Sequence, residues 1–163
     1  MLPNLPETHF VLWGAEAAGT AVAINPLLEA DAIGALLAAS GASILVTLAP
    51  FPGSDLYEKA VAALANAPDL RHLVLVDPAR HTDGWRRIGA RLLGGKAARA
   101  ASPVPRPVVV HDFFRLAART RGDRLTSGRA ISSDDISSCF CTGGTTGLPK
   151  LARRTHGSEV ANA

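Results

Sequence analysis

A nonapeptide near the end of the sequence constrains this chain more than any other stretch: Thr142-Gly143-Gly144-Thr145-Thr146-Gly147-Leu148-Pro149-Lys150. Its first six residues hold three glycines and three threonines. Glycine lacks a Cβ, so the backbone can turn tightly and come close to a ligand. Successive N–H groups in such a loop converge on an anion. Threonine hydroxyls add short-range donors, and Lys150 adds a mobile positive charge. These parts predict a cradle for a phosphate chain. Their order excludes a Walker loop, in which a Gly-Lys-Ser/Thr step lets the lysine open a helix. Here Pro149 precedes Lys150 and Leu151 follows it. The residue before a proline is pushed to extended geometry, so no helix is expected to start at Lys150. The competing reading is a glycine-rich hairpin without a ligand, although ordinary hairpins place only one or two glycines at the turn.

The remainder of the chain alternates short apolar runs with helical periodicity. Asn4-Leu5-Pro6-Glu7 reads as a helix entry, with Asn4 as cap, Pro6 in the first turn and Glu7 placed for a capping box. Phe10, Trp13, Gly14 and Ala17 then recur at helical spacing and are expected to pack in the core. Ala21-Val22-Ala23-Ile24 reads as a buried strand stopped by Asn25-Pro26. Ile33, Leu36, Leu37 and Ser40 mark one face of a helix that ends at Gly41, and Ile44 to Thr47 is the next strand. That strand–helix–strand spacing suggests a βαβ unit and a parallel sheet. Ser54 is placed to cap a helix running to about Asn66, and Leu73 to Val76 is a third buried strand. Residues 78–107 read as an irregular surface excursion with one helix near Gly84–Leu93 and prolines at 103, 105 and 107. Val108 to Val110 is a short strand, Asp112 caps a helix ending near Gly122, and Ile136 to Cys141 is a strand leading into the glycine loop. The fold class is therefore α/β, a mostly parallel sheet flanked by helices.

With 163 residues, 47% of them hydrophobic, the chain has apolar material for one core. A formal charge of +3, from arginines spread between Arg71 and Arg129, is too mild for a nucleic-acid footprint. No apolar run reaches the roughly 18–20 residues of a membrane span. The start, Met1-Leu2-Pro3-Asn4, carries neither the basic nor the apolar region of a signal peptide. Cys139 and Cys141, two apart on one expected strand, read as small buried hydrophobes rather than metal ligands, and fit a reducing cytosol. Arg86, Arg87 and Arg91 read as a solvated helix face. His9, His72, His81, His111 and His156 show no ligand spacing, and no Gly-x-Ser-x-Gly elbow or catalytic triad is present.

The segment Thr142 to Lys150 resembles the phosphate-loop signature of the adenylate-forming superfamily, whose members include acyl-CoA synthetases, luciferases and the adenylation domains of peptide synthetases. His156, six residues past Lys150, matches the Thr-His step that usually follows, and the run from Leu2 to Thr47 is similar to the family's order of a Pro-Asn turn, helix, strand, Asn-Pro turn, helix and strand. Leu151 and Ser158 depart from the glycine and asparagine common at those places. The resemblance implies an acyl-CoA synthetase, an acid–thiol ligase of fatty acid or related metabolism. It would join a carboxylic acid to AMP using Mg2+ and ATP, then transfer the acyl group to coenzyme A. It implies phosphate binding by Thr142, Gly143, Gly144, Thr145, Thr146, Gly147 and Lys150, with His156 a further candidate against a local helix-start role. It implies no catalytic residue and no metal ligand within residues 1–163, which would form part of the N-terminal AMP-binding domain. The C-terminal domain with its lysine would lie elsewhere. The 163 residues alone are expected to be inactive, to expose apolar surface and to self-associate. The alternative is a non-catalytic phosphate-binding remnant or interaction module.

Overall fold

The computed structural model describes residues 1–81, 89, 92–94, 102–104, 108–142 and 150–162. The core forms where two helices cover one parallel sheet. Strands β2 (Ile44–Leu48), β3 (His72–Val76) and β4 (Val109–Asp112) lie side by side with β3 in the centre. Ile44 opposes His72, Leu48 opposes Val76, and Val109 opposes His72 from the other edge, all in parallel register. A strand paired on both edges and covered on its faces reads as an apolar run, and in β3 Leu73 and Val76 are fully buried. Helices α2 (Ala30–Ser40) and α3 (Leu56–Ala63), with the 3-10 turn Leu64–Asn66 that follows, supply the cover, and Ile33, Leu36, Leu37, Ala60, Val61 and Leu64 join Leu45 and Leu73 in one buried cluster. Gly41, in the left-handed region at φ 61°, ends α2 as the sequence indicates.

A second sheet carries the glycine loop. Its order is β1 (Ala21–Ala23), β5 (Ile136–Thr142), β6 (Lys150–Thr155), with β1 parallel and β6 antiparallel to β5. The α/β class holds, but there are two three-stranded sheets, and β1 does not share one with β2. The expected βαβ unit across α2 is thus replaced by one across α3, joining β2 to β3. Strand–helix–strand spacing specifies a crossover but not which strand the first one pairs with. The three-residue β1 finds its partner late in the chain, Ala21 opposite Ser138.

Helix α1 (Pro6–Ala18) also departs from expectation. Phe10 and Trp13 are 60% and 64% exposed, and the buried residue of α1 is Glu7. Glu7 turns inward to meet His81 Nε2 at 2.9 Å, where a 3-10 turn over Pro78–His81 follows β3. Leu5, not Asn4, is the N-cap residue, and Thr8 Oγ1 rather than Glu7 accepts from the Leu5 N–H. Periodicity reveals an apolar stripe without saying whether a neighbour covers it. Phe10 instead edges a cleft of about 1160 Å³ between the two sheets, with Val22, Ile44, Phe113 and Leu116 among its walls. Asp112 caps α4 (Phe113–Arg119), its carboxylate accepting from the Arg115 N–H at 2.8 Å. That helix stops three residues before Gly122. Within 78–107, residues 92–94 are helical, whereas Arg86, Arg87, Arg91, Pro105 and Pro107 lie outside the described residues. No helix among the described residues is long and apolar enough to cross a membrane.

Two helical glycines give opposite expectations. A Cβ on Gly34 would meet Asn66 Cβ at 2.9 Å and the Ala63 carbonyl at 3.1 Å, so glycine lets α2 lie against the end of α3. Gly14 in α1 has nothing within 4 Å. Alanine gains about 1 kcal/mol of helix propensity at either place, but forced overpacking costs about 1–3 kcal/mol. Urea denaturation should show Gly34→Ala destabilised and Gly14→Ala unchanged or stabilised. Equal effects at both positions would refute the close approach.

Candidate functional site

The loop hangs from a two-stranded stem. Strands β5 and β6 pair from Ile136 and Thr155 at the base to Thr142 and Lys150 at the tip. Directly opposed residues in an antiparallel ladder have Cα atoms about 4.5–5.5 Å apart, so the loop begins and ends at one place. Lys150 opens a strand and not a helix. Gly143, Gly144, Thr145, Thr146 and Gly147, with Leu148 and Pro149, lie outside the described residues. Cys139 is buried and Cys141 half-buried, both as free thiols, while Phe140 between them faces outward with Arg154 over its ring at 5.6 Å. This is the alternation of a pleated strand.

At the base that alternation breaks. The register steps from Ile136↔Thr155 to Ser138↔Arg154, leaving Ser137 as an extra residue. A bulge of this kind re-aims a side chain. Here it brings two consecutive hydroxyls to one acceptor. Ser137 Oγ donates to Glu159 Oε1 at 2.8 Å and lies 3.1 Å from the Arg154 carbonyl, while Ser138 Oγ donates to the same Glu159 oxygen at 2.5 Å. Both serines are fully buried. Glu159 comes from α5 (His156–Ala161), whose N-cap Thr155 forms a reciprocal capping box with Ser158. Gly157 allows α5 to approach, since a Cβ there would lie 3.1 Å from the Ser133 carbonyl that accepts its N–H.

Charges gather around this clasp. The Ser138 and then the Ser137 hydroxyl hold the Glu159 carboxyl below its ordinary value. Burial, followed by the charge of Glu159, pushes the Glu16 carboxyl up, with His156 and Arg154 opposing. Arg129 braces the same region, donating to the Gly19 carbonyl at 2.7 Å and pairing with Asp135 at 3.4 Å. A cation at the C-terminus of α1 also suits that helix's dipole. His156 donates its N–H to the Asp135 carbonyl, and its Nε2 is buried with no hydrogen-bond partner among the described residues. It begins α5 at the base of the stem, about 17 Å of strand from Lys150.

Sequence reasoning found the strand that enters the loop but not its partner β6, and it missed the clasp, because neither the bulge nor the use of Glu159 has a periodic signature. It also missed a histidine pair. His72 Nδ1 and His111 Nε2 are 3.1 Å apart on neighbouring strands β3 and β4, contacts that only the register reveals. Among the described residues no group of three or more His, Cys, Asp or Glu side chains could hold a metal ion.

An α/β scaffold with a glycine- and threonine-rich segment joining β5 to β6 fits an adenylate-forming enzyme domain. The model of the AMP-binding enzyme family matches residues 1–163, and the chain belongs to that family. It is 31% identical over 164 residues to a marinolic acid–CoA ligase from Pseudoalteromonas sp. (strain SANK 73390), covering all of this chain and 21% of that protein. Its fold is similar to the adenylation domain of a carboxylate reductase from Mycobacterium chelonae, with a TM-score of 0.61 at 17% identity over 86% of this chain and 20% of that one. It is likewise similar to the adenylation domain of a carboxylic acid reductase from Segniliparus rugosus in complex with AMP and a co-purified carboxylic acid, with a TM-score of 0.61 at 18% identity over 92% and 22%. The chain thus spans about a fifth of the length of the proteins it matches.

The two carboxyls predict opposite pH slopes. A depressed folded-state value, as for Glu159, adds stability above the unfolded value of about 4.3 that is lost as pH falls further. The raised Glu16 carboxyl instead costs stability as pH climbs through its range. In Glu159→Gln the loss of stability below pH of about 4.3 should flatten, and carbonyl NMR should find Glu16 titrating lower than in the wild type. An unmoved Glu16 would contradict the electrostatic contact.

Proposed function

We propose that this chain is the phosphate-binding part of an acyl-CoA ligase, an acid–thiol ligase that activates a carboxylic acid with ATP. Residues 1–163 are read as a portion of its N-terminal AMP-binding domain, with 78–107 a surface excursion and the C-terminal domain outside it. The reading rests above all on one observation. Beyond the bulge at Ser137 the ladder of β5 and β6 runs from Ser138 and Arg154 to Thr142 and Lys150, so the glycine–threonine signature starts and finishes on a fixed frame. The 31% identity to a CoA ligase supports coenzyme A as the acceptor.

In the first step a carboxylate oxygen attacks the α-phosphorus of ATP. The P–O bond to the β-phosphate breaks, and pyrophosphate leaves with the bonding pair. Loop N–H groups and hydroxyls from Thr142, Gly143, Gly144, Thr145, Thr146 and Gly147 would bind that departing charge, with Lys150 as a point-charge partner. In the second step the coenzyme A thiol loses its proton, attacks the acyl carbon and expels AMP. Mg2+ would be needed to neutralise phosphate charge. The ion would arrive bound to ATP, with its protein ligand proposed to lie outside residues 1–163. His156 is a further phosphate candidate, its Nε2 having no hydrogen-bond partner among the described residues. The free thiols Cys139 and Cys141 suit a cytosolic protein, and self-association of the isolated chain belongs with the same reading.

Carboxylate-dependent exchange of pyrophosphate into ATP tests this in the longer protein that carries the chain. A hydrogen bond to a charged group contributes about 1.5–3 kcal/mol, so Lys150→Ala should lower exchange by about 10–150-fold. The isolated 163 residues should give none. Undiminished exchange in Lys150→Ala would remove the lysine from the site, and no exchange with any acid in the intact protein would overturn the ligase reading.

A further inference from the structure

The geometry points to Glu159 as a positioning residue for ATP: it locks the bulge at the base of the β5–β6 stem and so fixes the register in which Thr142 faces Lys150. This rests on the reading of the loop as a phosphate site. Its own basis is separate, in the stem and α5. Ser137 and Ser138 are adjacent, and neighbouring strand residues ordinarily point to opposite faces. The extra residue in the ladder turns both hydroxyls toward one carboxylate oxygen, at 2.8 and 2.5 Å. The Ser137 hydroxyl also reaches the Arg154 carbonyl on β6 at 3.1 Å, so the cluster ties β5, β6 and α5 together at one point.

An oxygen that can accept twice is what such a cluster needs. With only protein partners, two buried hydroxyls aimed the same way need an atom with several lone pairs, and a carboxylate oxygen accepts both without donating. Removing it leaves the Ser138 hydroxyl, among the described residues, with no partner but the distant Ser137 oxygen at 3.4 Å. The hairpin then has a competing solution, in which the bulge closes and the pairing slips by one residue. Such a slip turns every side chain beyond it to the opposite face. Thr142 lies four residues beyond Ser138 on the same strand, so a change of register at the base is passed directly to the tip.

The test uses the intact protein and two readouts. Hydrogen exchange of the stem amides, residues 138–142 and 150–155, is compared in wild type, Glu159→Ala, Glu159→Gln and the double variant Ser137→Ala/Ser138→Ala. MgATP binding is measured by calorimetry on the same proteins, with KM for the acid alongside. Glu159→Ala should speed exchange across the stem and weaken MgATP about tenfold or more, since ångström-scale misplacement can cost about 10²-fold. KM for the acid should stay within about twofold. Glu159→Gln, which keeps an acceptor oxygen at the same reach, should restore most of both effects. The serine double variant, which removes donors and acceptor demand together, should stay folded and mimic Glu159→Ala at the stem. Unchanged stem exchange in Glu159→Ala, or a uniform loss for ATP and acid that glutamine does not rescue, would overturn the positioning role. Failure of the wild type to bind MgATP would instead strike the phosphate-site reading, leaving stem exchange to decide the clasp.

Discussion

Strand β5 carries the demand that the second half of this structure is built to meet. It pairs with β6 along its length in antiparallel register and with β1 in parallel over Ser138 to Phe140, so the backbone at its centre is committed on both edges. Buried backbone must be paired in this way or lose free energy comparable to a hydrogen bond. Yet β5 places two serines directly after Ile136, and these are buried as deeply as the aliphatic core. The carboxylate of Glu159 resolves that conflict. It turns polar side chains that would oppose burial into the attachment of α5.

The two sheets divide the labour of the fold. The β2–β3–β4 sheet under α2 and α3 holds the close-packed apolar cluster, where Gly34 permits the helices to touch. The β1–β5–β6 sheet holds less apolar material and more charge, with Glu16, Arg154, His156 and Glu159 acting on one another. A loop that must bind and release a polyanion needs a frame firm at its base and a ligand-facing tip. Such a division suits a stem clasped at Ser137 and Ser138 with the phosphate groups proposed beyond Thr142. Arg129 serves the same end from the other side, joining the last carbonyls of α1 to Asp135 just before β5.

Much of this was legible in the sequence, for physical reasons that can be named. The strands at 44–48, 72–76 and 136–142 are short apolar or β-prone runs bounded by Gly, Pro or Asp, and Gly41 and Asp112 are helix-ending and helix-starting residues acting as such. No helix was expected at Lys150, and β6 begins there. Partner choice was not legible, because β1 could join β2 or β5 with equal local propensity. The exposure of Phe10 and Trp13 was not legible either, since a helical stripe does not reveal what faces it. Clusters assembled by register, His72 with His111 and the two serines with Glu159, belong to the same category. The candidate site was legible as composition and its support was not.

The central claim is that the β5–β6 stem presents its loop to the phosphates of ATP. Amide NMR of the intact protein, labelled on glycine and threonine and titrated with MgATP and then with pyrophosphate, addresses it most directly. The account predicts that Gly143, Gly144 and Gly147 shift first and most, in the same direction for both ligands, while glycines remote from the stem such as Gly34 and Gly41 stay still. Saturating ATP binding with those three loop amides unmoved would contradict it.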